Sequence, residues 1–577
     1  MLMSVRERAQ RLAAVGSLGV RKEHLIQYGV TAITACLVLA PLVPVVYTSF
    51  LDRPLYDTGG VLSLDNYVRL LSDPEFHDVI RDTLYFAFLT TLISVGLGVV
   101  MAVVIGRTDL PGRSILGEIM LWPIYLSPLV IAFAWVIMYS PAGYGTLLVK
   151  NLLHVQPWNL YTIPGMAAVA AVALMPIAYL YCSSSAAVAD PALEDAARTA
   201  GAGPLRILLS VTLPLMRPPI LYSAVLIFTI GLEVLSIPMI LGGPVGIDFF
   251  SSYLYKNWLG GAQPDYGLVG AAAVFLLLIV TALVLLQNAL LRDTSRFVTV
   301  RGKATRPHIF RLGWVRWALS AFILLYVLLA AILPMVGLIM QAFTKFLTPL
   351  APPWRFLTLQ NFAVIFSYPA YTRSITNSIV ISVVGGVLTT LFVALIALVA
   401  HRSEFRLRKV LDFLAIYPRA MPGMIVGIGF FWAFVLVKPL GPIRNTIWAL
   451  TIAFSVRYLP VAFGAISPML ARLGAELDDA ARTSGADWWT TCWQILLKLL
   501  KPALYSSFIL LFIQLIKEYG AAVFLVAPGS EVMGLSMLQF WVQGEAGPVA
   551  ALSLVQVAIT MAVVYGSRKL FKVKIYA

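Results

Sequence analysis

The chain has 577 residues, of which 60% are hydrophobic and 12% charged, with a mean hydropathy of +0.87. Soluble globular proteins carry about 25% charged residues, so too little polar surface remains here to cover a water-soluble multidomain protein, and most of the chain must face lipid. A net charge of +15 would suggest nucleic acid in a soluble protein; here the test is where the charges lie relative to the membrane.

A spanning helix needs about 20 apolar residues. Such runs lie near 25–50, 82–105, 115–139, 163–185, 218–241 and 267–291, and again near 317–343, 375–400, 411–437, 446–468, 502–526 and 548–567. The first is too long for a signal-peptide core. The pattern predicts an all-α polytopic membrane protein of about twelve spans. With the N-terminus inside, 29 of the 42 Lys and Arg residues fall in inside segments and 9 in outside ones. That bias orients the chain with both termini in the cytoplasm and removes nucleic acid as the explanation of the charge.

The division predicted is a cytoplasmic segment 1–24, a six-helix half 25–291, a basic linker 292–316 and a second half 317–577. Six spans return the chain to the inside, so the halves are parallel repeats. Asn66-Tyr67 recurs as Asn361-Phe362, Arg107 as Arg402 and Trp122-Pro123 as Tyr417-Pro418, the last two motifs suggesting kinks or gate packing. The strongest repeat follows the fourth span of each half. Residues 195–202, Asp-Ala-Ala-Arg-Thr-Ala-Gly-Ala, return as 479–486 with one change, Ala200 to Ser484.

Asp190-Pro191 starts a helix by its N-cap and proline. Leu193, Ala196, Ala197 and Ala200 then share one face, as do Leu477, Ala480, Ala481 and Ser484. Glu194, Asp195 and Arg198 share the other, matched by Asp478, Asp479 and Arg482, with Glu194 and Arg198 spaced for an i,i+4 pair. Gly201 and Gly485 suit left-handed C-caps. A second short helix follows each. Small apolar side chains let a partner surface approach closely. A helix lying on lipid headgroups would instead carry a basic polar face, and here carboxylates lead.

These loops resemble the EAA motif of permease subunits in binding-protein-dependent ABC importers: EAA, three residues, Gly, nine residues, Ile, one residue, Leu-Pro. The first loop matches with Asp195-Ala196-Ala197, Gly201, Val211 and Leu213-Pro214. The second matches with Asp479-Ala480-Ala481, Gly485, Ile495 and Leu497, but has Lys498 in place of proline. The resemblance implies a type I importer permease fold in a bacterial inner membrane, two permease halves fused in one chain. It implies docking of Glu194, Asp195, Ala196, Ala197 and Gly201, and of Asp478, Asp479, Ala480, Ala481 and Gly485, on two copies of a cytoplasmic ATPase. ATP and Mg would be bound by that partner, and a periplasmic or lipid-anchored binding protein would deliver substrate. This chain has no G-x-x-x-x-G-K-[ST] phosphate loop of its own.

The stretches 233–243 and 517–529 resemble ferric-iron-type permeases, implying ferric iron or a related anionic chelate. Polyamine, thiamine, phosphonate and sugar-phosphate permeases share much of the pattern. Ionisable residues inside spans are pathway candidates: Glu233, Arg419, Arg457, Lys517 and Glu518. They serve equally as paired bundle glue. The scattered cysteines and histidines show no metal-ligand spacing. A secondary transporter of the major-facilitator type also has twelve spans in two parallel halves, but gives no reason for a duplicated docking loop.

Overall fold

The computed structural model describes residues 23–571 except 58, 189–190, 260–263, 291–308 and 475. The basic N-terminal segment up to residue 22, the cap at Asp190, most of the linker and residues 572–577 lie outside the described residues.

Hydrocarbon offers the backbone no hydrogen bonds, so a spanning segment must satisfy its own N–H and C=O groups, as a helix does. The described residues are accordingly helical, with isolated bridges in place of strands. The first half contains α1 (Glu23–Ser49), α2 (Pro74–Arg107), α3 (Pro128–Leu153), α4 (Ile163–Val188), α5 (Pro191–Thr199), α6 (Pro204–Leu215), α7 (Arg217–Glu233) and α8 (Tyr266–Leu290). The second contains α9 (Val315–Ala342), α10 (Pro369–Arg402), α11 (Arg408–Ala420), α12 (Gly423–Leu436), α13 (Ile447–Arg472), α14 (Glu476–Thr483), α15 (Trp488–Leu499), α16 (Lys501–Ile516) and α17 (Ala546–Phe571). Among the described residues, 9 helices are long and apolar enough to cross a membrane, or up to 12 if each sharply bent pair forms one span.

The third expected span of each half is broken rather than straight. Near 115–139, a short helix Arg113–Met120 ends in a turn at Trp122–Tyr125, and α3 starts afresh at Pro128. Near 411–437, α11 and α12 meet at 111°. Pro123 and Pro418 stand in the turns, and Pro128 and Pro422 where the next helices begin. None has the N–H needed to continue the preceding helix. The elbows α6–α7 and α15–α16 bend by 64° and 71°. The bend survives Lys498 in the second half because Pro218 and Pro502, in the first turn after each elbow, occupy matching places.

The helices form two compact units that do not follow the two halves of the sequence. One contains Val46–Thr372 and Met533–Ile559; the other contains Arg373–Val532, the described residues up to Val45 and those from Thr560. Most of α1 therefore groups with the second half, and α9 with the first. In α9, Pro334 has no N–H to offer Ala330 O; the Trp135 indole donates to that oxygen at 3.2 Å, and Tyr139 OH to Leu329 O at 2.7 Å. In the other unit, a Cβ on Gly429 of α12 would lie 2.1 Å from Pro41 O of α1.

The repeated asparagines close the first span of each half. Asn66 Nδ2 donates to Ser49 O (3.2 Å) and Leu51 O (2.7 Å); Asn361 Nδ2 donates to Ala342 O (3.0 Å) and Thr344 O (2.9 Å). These are the carbonyls that a helix end leaves unsatisfied. Glycines make room: a Cβ on Gly267 would lie 2.6 Å from Asn66 Nδ2, and one on Gly547 2.4 Å from Asn361 Oδ1. Asn66→Leu and Asn361→Leu should each destabilise the protein by about 1–3 kcal/mol through orphaned carbonyls. Thermal unfolding in detergent checks this, with a substitution at a lipid-facing leucine such as Leu278 as the neutral control.

Candidate functional site

Both repeated loops end in the same hydrogen-bonded turn. Gly201 N–H donates to Arg198 O and Ala202 N–H to Ala197 O, both at 3.0 Å; Gly485 N–H donates to Arg482 O at 2.9 Å and Ala486 N–H to Ala481 O at 3.0 Å. The two glycines have φ of +82° and +81°, and nothing lies within 4 Å of a Cβ built on either. Glycine is therefore required by the backbone and not by crowding. Leu193, Asp195, Ala196, Arg198 and Gly201 are exposed in the first loop, and Leu477, Asp479, Ala480, Arg482 and Gly485 in the second; Ala197 is half-buried and Ala481 buried.

The expected outward placement of Glu194 and Asp478 is corrected. Arg198 pairs with Asp195 at 3.2 Å, while Glu194, 1% exposed, turns inward to the fully buried Arg107 at the end of α2. An i,i+4 pair is worth about 0.2–0.5 kcal/mol, whereas leaving a buried arginine without its countercharge costs about 3–5 kcal/mol. The buried partner wins. Arg107 Nη1 also donates to Ala186 O at the end of α4 (3.1 Å), and Thr212 Oγ1 in α6 donates to Glu194 (2.9 Å).

The second loop repeats this with other atoms. Arg402 Nη1 donates to Asp478 Oδ2 at 2.8 Å, and Nη2 to Leu470 O (2.7 Å) and Leu473 O (2.5 Å) at the end of α13. Trp488 Nε1 in α15 donates to Arg402 O at 2.8 Å. The second ion pair is wetter, with side chains 8% and 22% exposed. Trp489 and Trp493 of α15 stack on one another and are exposed, ring centroids 6.1 Å apart. Sequence reasoning aligned Arg107 with Arg402 without giving them a role. The available signal was a matched arginine in each half facing a matched acid in each loop.

Chain returning from the linker lies against the first pair. Phe310 N–H donates to Arg107 O at 2.8 Å, and its ring lies 5.9 Å from the Arg107 guanidinium. Asp109 accepts from Leu312 N–H (2.9 Å) and Arg316 (3.3 Å). The Leu312 N–H, foremost, holds the Asp109 carboxyl below the usual carboxylate range, with Arg316 adding to it.

The intramembrane candidates separate. Glu233 ends α7 and Glu518 follows the end of α16, so both matched acids stand where the fifth span of their half unwinds. Glu518 is 6% exposed. It pairs with Arg457 at 3.5 Å, accepts from Tyr458 OH, and accepts from Ala521 N–H at 3.2 Å. Arg457 occupies the space above Gly423, where a Cβ would fall 1.0 Å from its Nη1. Lys517 adjoins this cluster in sequence, and Arg419 stands in the turn Tyr417–Ala420 before α12. Glu233 lies in the other compact unit.

The family described as binding-protein-dependent transport system inner membrane component matches residues 94–296 and again 386–571. The chain belongs to this family of ABC importer permeases. The permease is a multi-pass inner-membrane protein whose loop repeat is part of a repeat of the whole domain. It is 25% identical over 533 residues to the ferric transport system permease protein FbpB of Actinobacillus pleuropneumoniae, spanning 91% of this chain and 75% of that one. It is 29% identical over 211 residues to the sulfate transport system permease protein CysT of Escherichia coli, spanning 35% and 72%. A solved bacterial alginate ABC transporter in complex with alginate pentasaccharide-bound periplasmic protein aligns with 51% of this chain and 98% of its own, at 19% identity and a TM-score of 0.37.

Gly423→Ala and Arg457→Met should each lower the thermal unfolding temperature by stranding Glu518, at about 3–5 kcal/mol. Because both break one ion pair, the double variant should be little worse than either single one. Additive losses would exclude the shared cause. The contribution of Asp109 should be present above the ordinary carboxyl value of 3.8 and fade as pH falls below it, since its folded-state value is depressed. Hydrogen exchange at the Leu312 amide should become faster in that acid range relative to the intrinsic rate, and Asp109→Asn should remove the pH dependence.

Proposed function

We propose that this permease is the translocation subunit of an ATP-driven importer, that α5 and α14 each dock on one cytoplasmic ATP-binding subunit, and that the cargo is ferric iron or a related anionic chelate. The observation that carries the docking is the duplicated helix itself. Each copy is closed by a left-handed glycine turn, and each leaves an outward surface of small residues and acids. Asp195, Ala196 and Gly201, with Asp479, Ala480 and Gly485, are its contact residues; Glu194 and Asp478 support them from behind. The Lys and Arg bias puts both loops and both termini in the cytoplasm.

Two loops in one chain take two ATPase copies, which bind ATP and Mg. ATP binding favours the closed pair of ATPases, and the loops pass that bias to the membrane helices as a shift between inward- and outward-facing states. A periplasmic or lipid-anchored binding protein brings the cargo. The ferric reading is supported by similarity to FbpB over nine-tenths of the chain. Arg419, Arg457 and Lys517, basic residues of the second half, suit an anion. Similarity to CysT over one third of the chain favours an oxyanion such as sulfate as the second reading; polyamine, thiamine, phosphonate and sugar phosphate are further alternatives.

Coexpression with a cognate ATPase and binding protein should yield a complex with two ATPase copies per permease. Proteoliposomes should take up radiolabelled ferric iron only with ATP and loaded binding protein. Uptake without any ATPase would sink the importer mechanism in favour of a secondary transporter. ATP-driven uptake of sulfate or phosphonate, with none of iron, would reassign the cargo.

A further inference from the structure

The two halves share one arrangement that differs at the elbow contact. An arginine ending the second span holds the inward acid of the loop helix and a carbonyl near the end of the fourth span, and a side chain of the elbow before the fifth span closes the group. In the first half the elbow contributes Thr212 to Glu194; in the second it contributes Trp488 to the Arg402 carbonyl. The arginine–acid pair and the arginine bond to Ala186 O or Leu470 O recur at matched positions, and only the elbow contact differs between the halves. The recurrence points to the connection of these three spans to the loop helix as what both halves keep.

We propose that Arg107 and Arg402 are positioning residues that make each loop helix move as one piece with the second, fourth and fifth spans of its half. This rests on the docking reading above. Arg107 and Glu194, at 0% and 1% exposure, form a sealed joint that water and salt do not reach; Arg402 and Asp478, at 8% and 22%, form a joint that salt screens. Motion of the first loop is therefore transmitted rigidly, and that of the second with slack that increases with ionic strength. Asp195 and Asp479 stay on the exposed side of the loop helices.

The test uses the complete complex of permease, ATPase and binding protein in liposomes. It reads ATPase retention, ATP hydrolysis and uptake separately for Arg402→Asp, Asp478→Arg, their charge-swapped double variant and Arg402→Lys. The single reversals should keep the ATPase bound and hydrolysing but lose uptake per ATP by tenfold or more. The swap, which restores the ion pair but not the bonds to Leu470 O and Leu473 O, should recover part of it, above either parent. Arg402→Lys, which keeps the charge but cannot span Asp478, Leu470 and Leu473 together, should fall between. In the first half, the apolar pair Arg107→Met with Glu194→Met should keep a near-normal unfolding temperature, since a buried ion pair is replaceable by apolar groups, yet transport at a tenth of the normal yield or less. Wild-type yield from the single reversals or from the apolar pair overturns the proposal, as does a swap no better than its parents. Reversals that shed the ATPase also overturn it, in favour of a docking role alone. A wild-type permease that recruits no ATPase is a different failure, that of the docking reading.

Discussion

Hydrocarbon gives a peptide group nothing to bond to, and this constraint governs where the permease interrupts its helices. Where Pro334 deprives Ala330 O of its helical donor, the Trp135 indole takes the place. Where α1 and α9 end, Asn66 and Asn361 reach the last carbonyls. Where the fifth span of the second half unwinds after Ile516, Glu518 receives the Ala521 N–H and is itself held by Arg457 and Tyr458. Broken helices persist because polar side chains on neighbouring segments meet the exposed backbone. Glycines at 267, 423 and 547 leave those side chains room.

The same accounting applies to charge. A guanidinium at 0% exposure is tolerable only beside a countercharge and acceptors, and Arg107 has Glu194 and Ala186 O. This requirement turns Glu194 away from the surface and leaves Asp195 as the outward acid of the first loop. The second half relaxes the requirement. Arg402 is partly wetted and spreads its donors over backbone carbonyls. Two loops of nearly identical sequence thus sit on unequal foundations. The inequality comes from the residues behind them and not from the repeated motif.

The fold class, the repeat and the glycine turns were legible because each rests on local rules. Apolar length sets a span, and a left-handed C-cap selects glycine at 201 and 485. Asn66 and Asn361 were visible as a repeat, but their carbonyl partners were not, since those belong to residues 15 to 19 positions earlier in the chain. The breaks near 125 and 421 were partly legible: Pro123 and Pro418 announced kinks, while neither the 111° angle between α11 and α12 nor the seating of Arg457 of α13 against Gly423 could be read along the chain. The inward turn of Glu194 was hidden because helical periodicity identifies which residues share a face and does not say which face meets a buried arginine.

By itself, the amino-acid sequence determined that this is a two-half, all-helical permease and which two loops repeat. These follow from hydropathy, charge and spacing along the chain, quantities that need no knowledge of what lies across the bundle. Only the tertiary structure decided that most of α1 groups with the second half and α9 with the first, that the matched acids Glu233 and Glu518 fall where their spans unwind, and that Arg107 and Arg402 hold the loops. The cause is common to all three. Each is settled by a hydrogen bond, a countercharge or a close approach between residues distant in sequence, and such partners are chosen by packing.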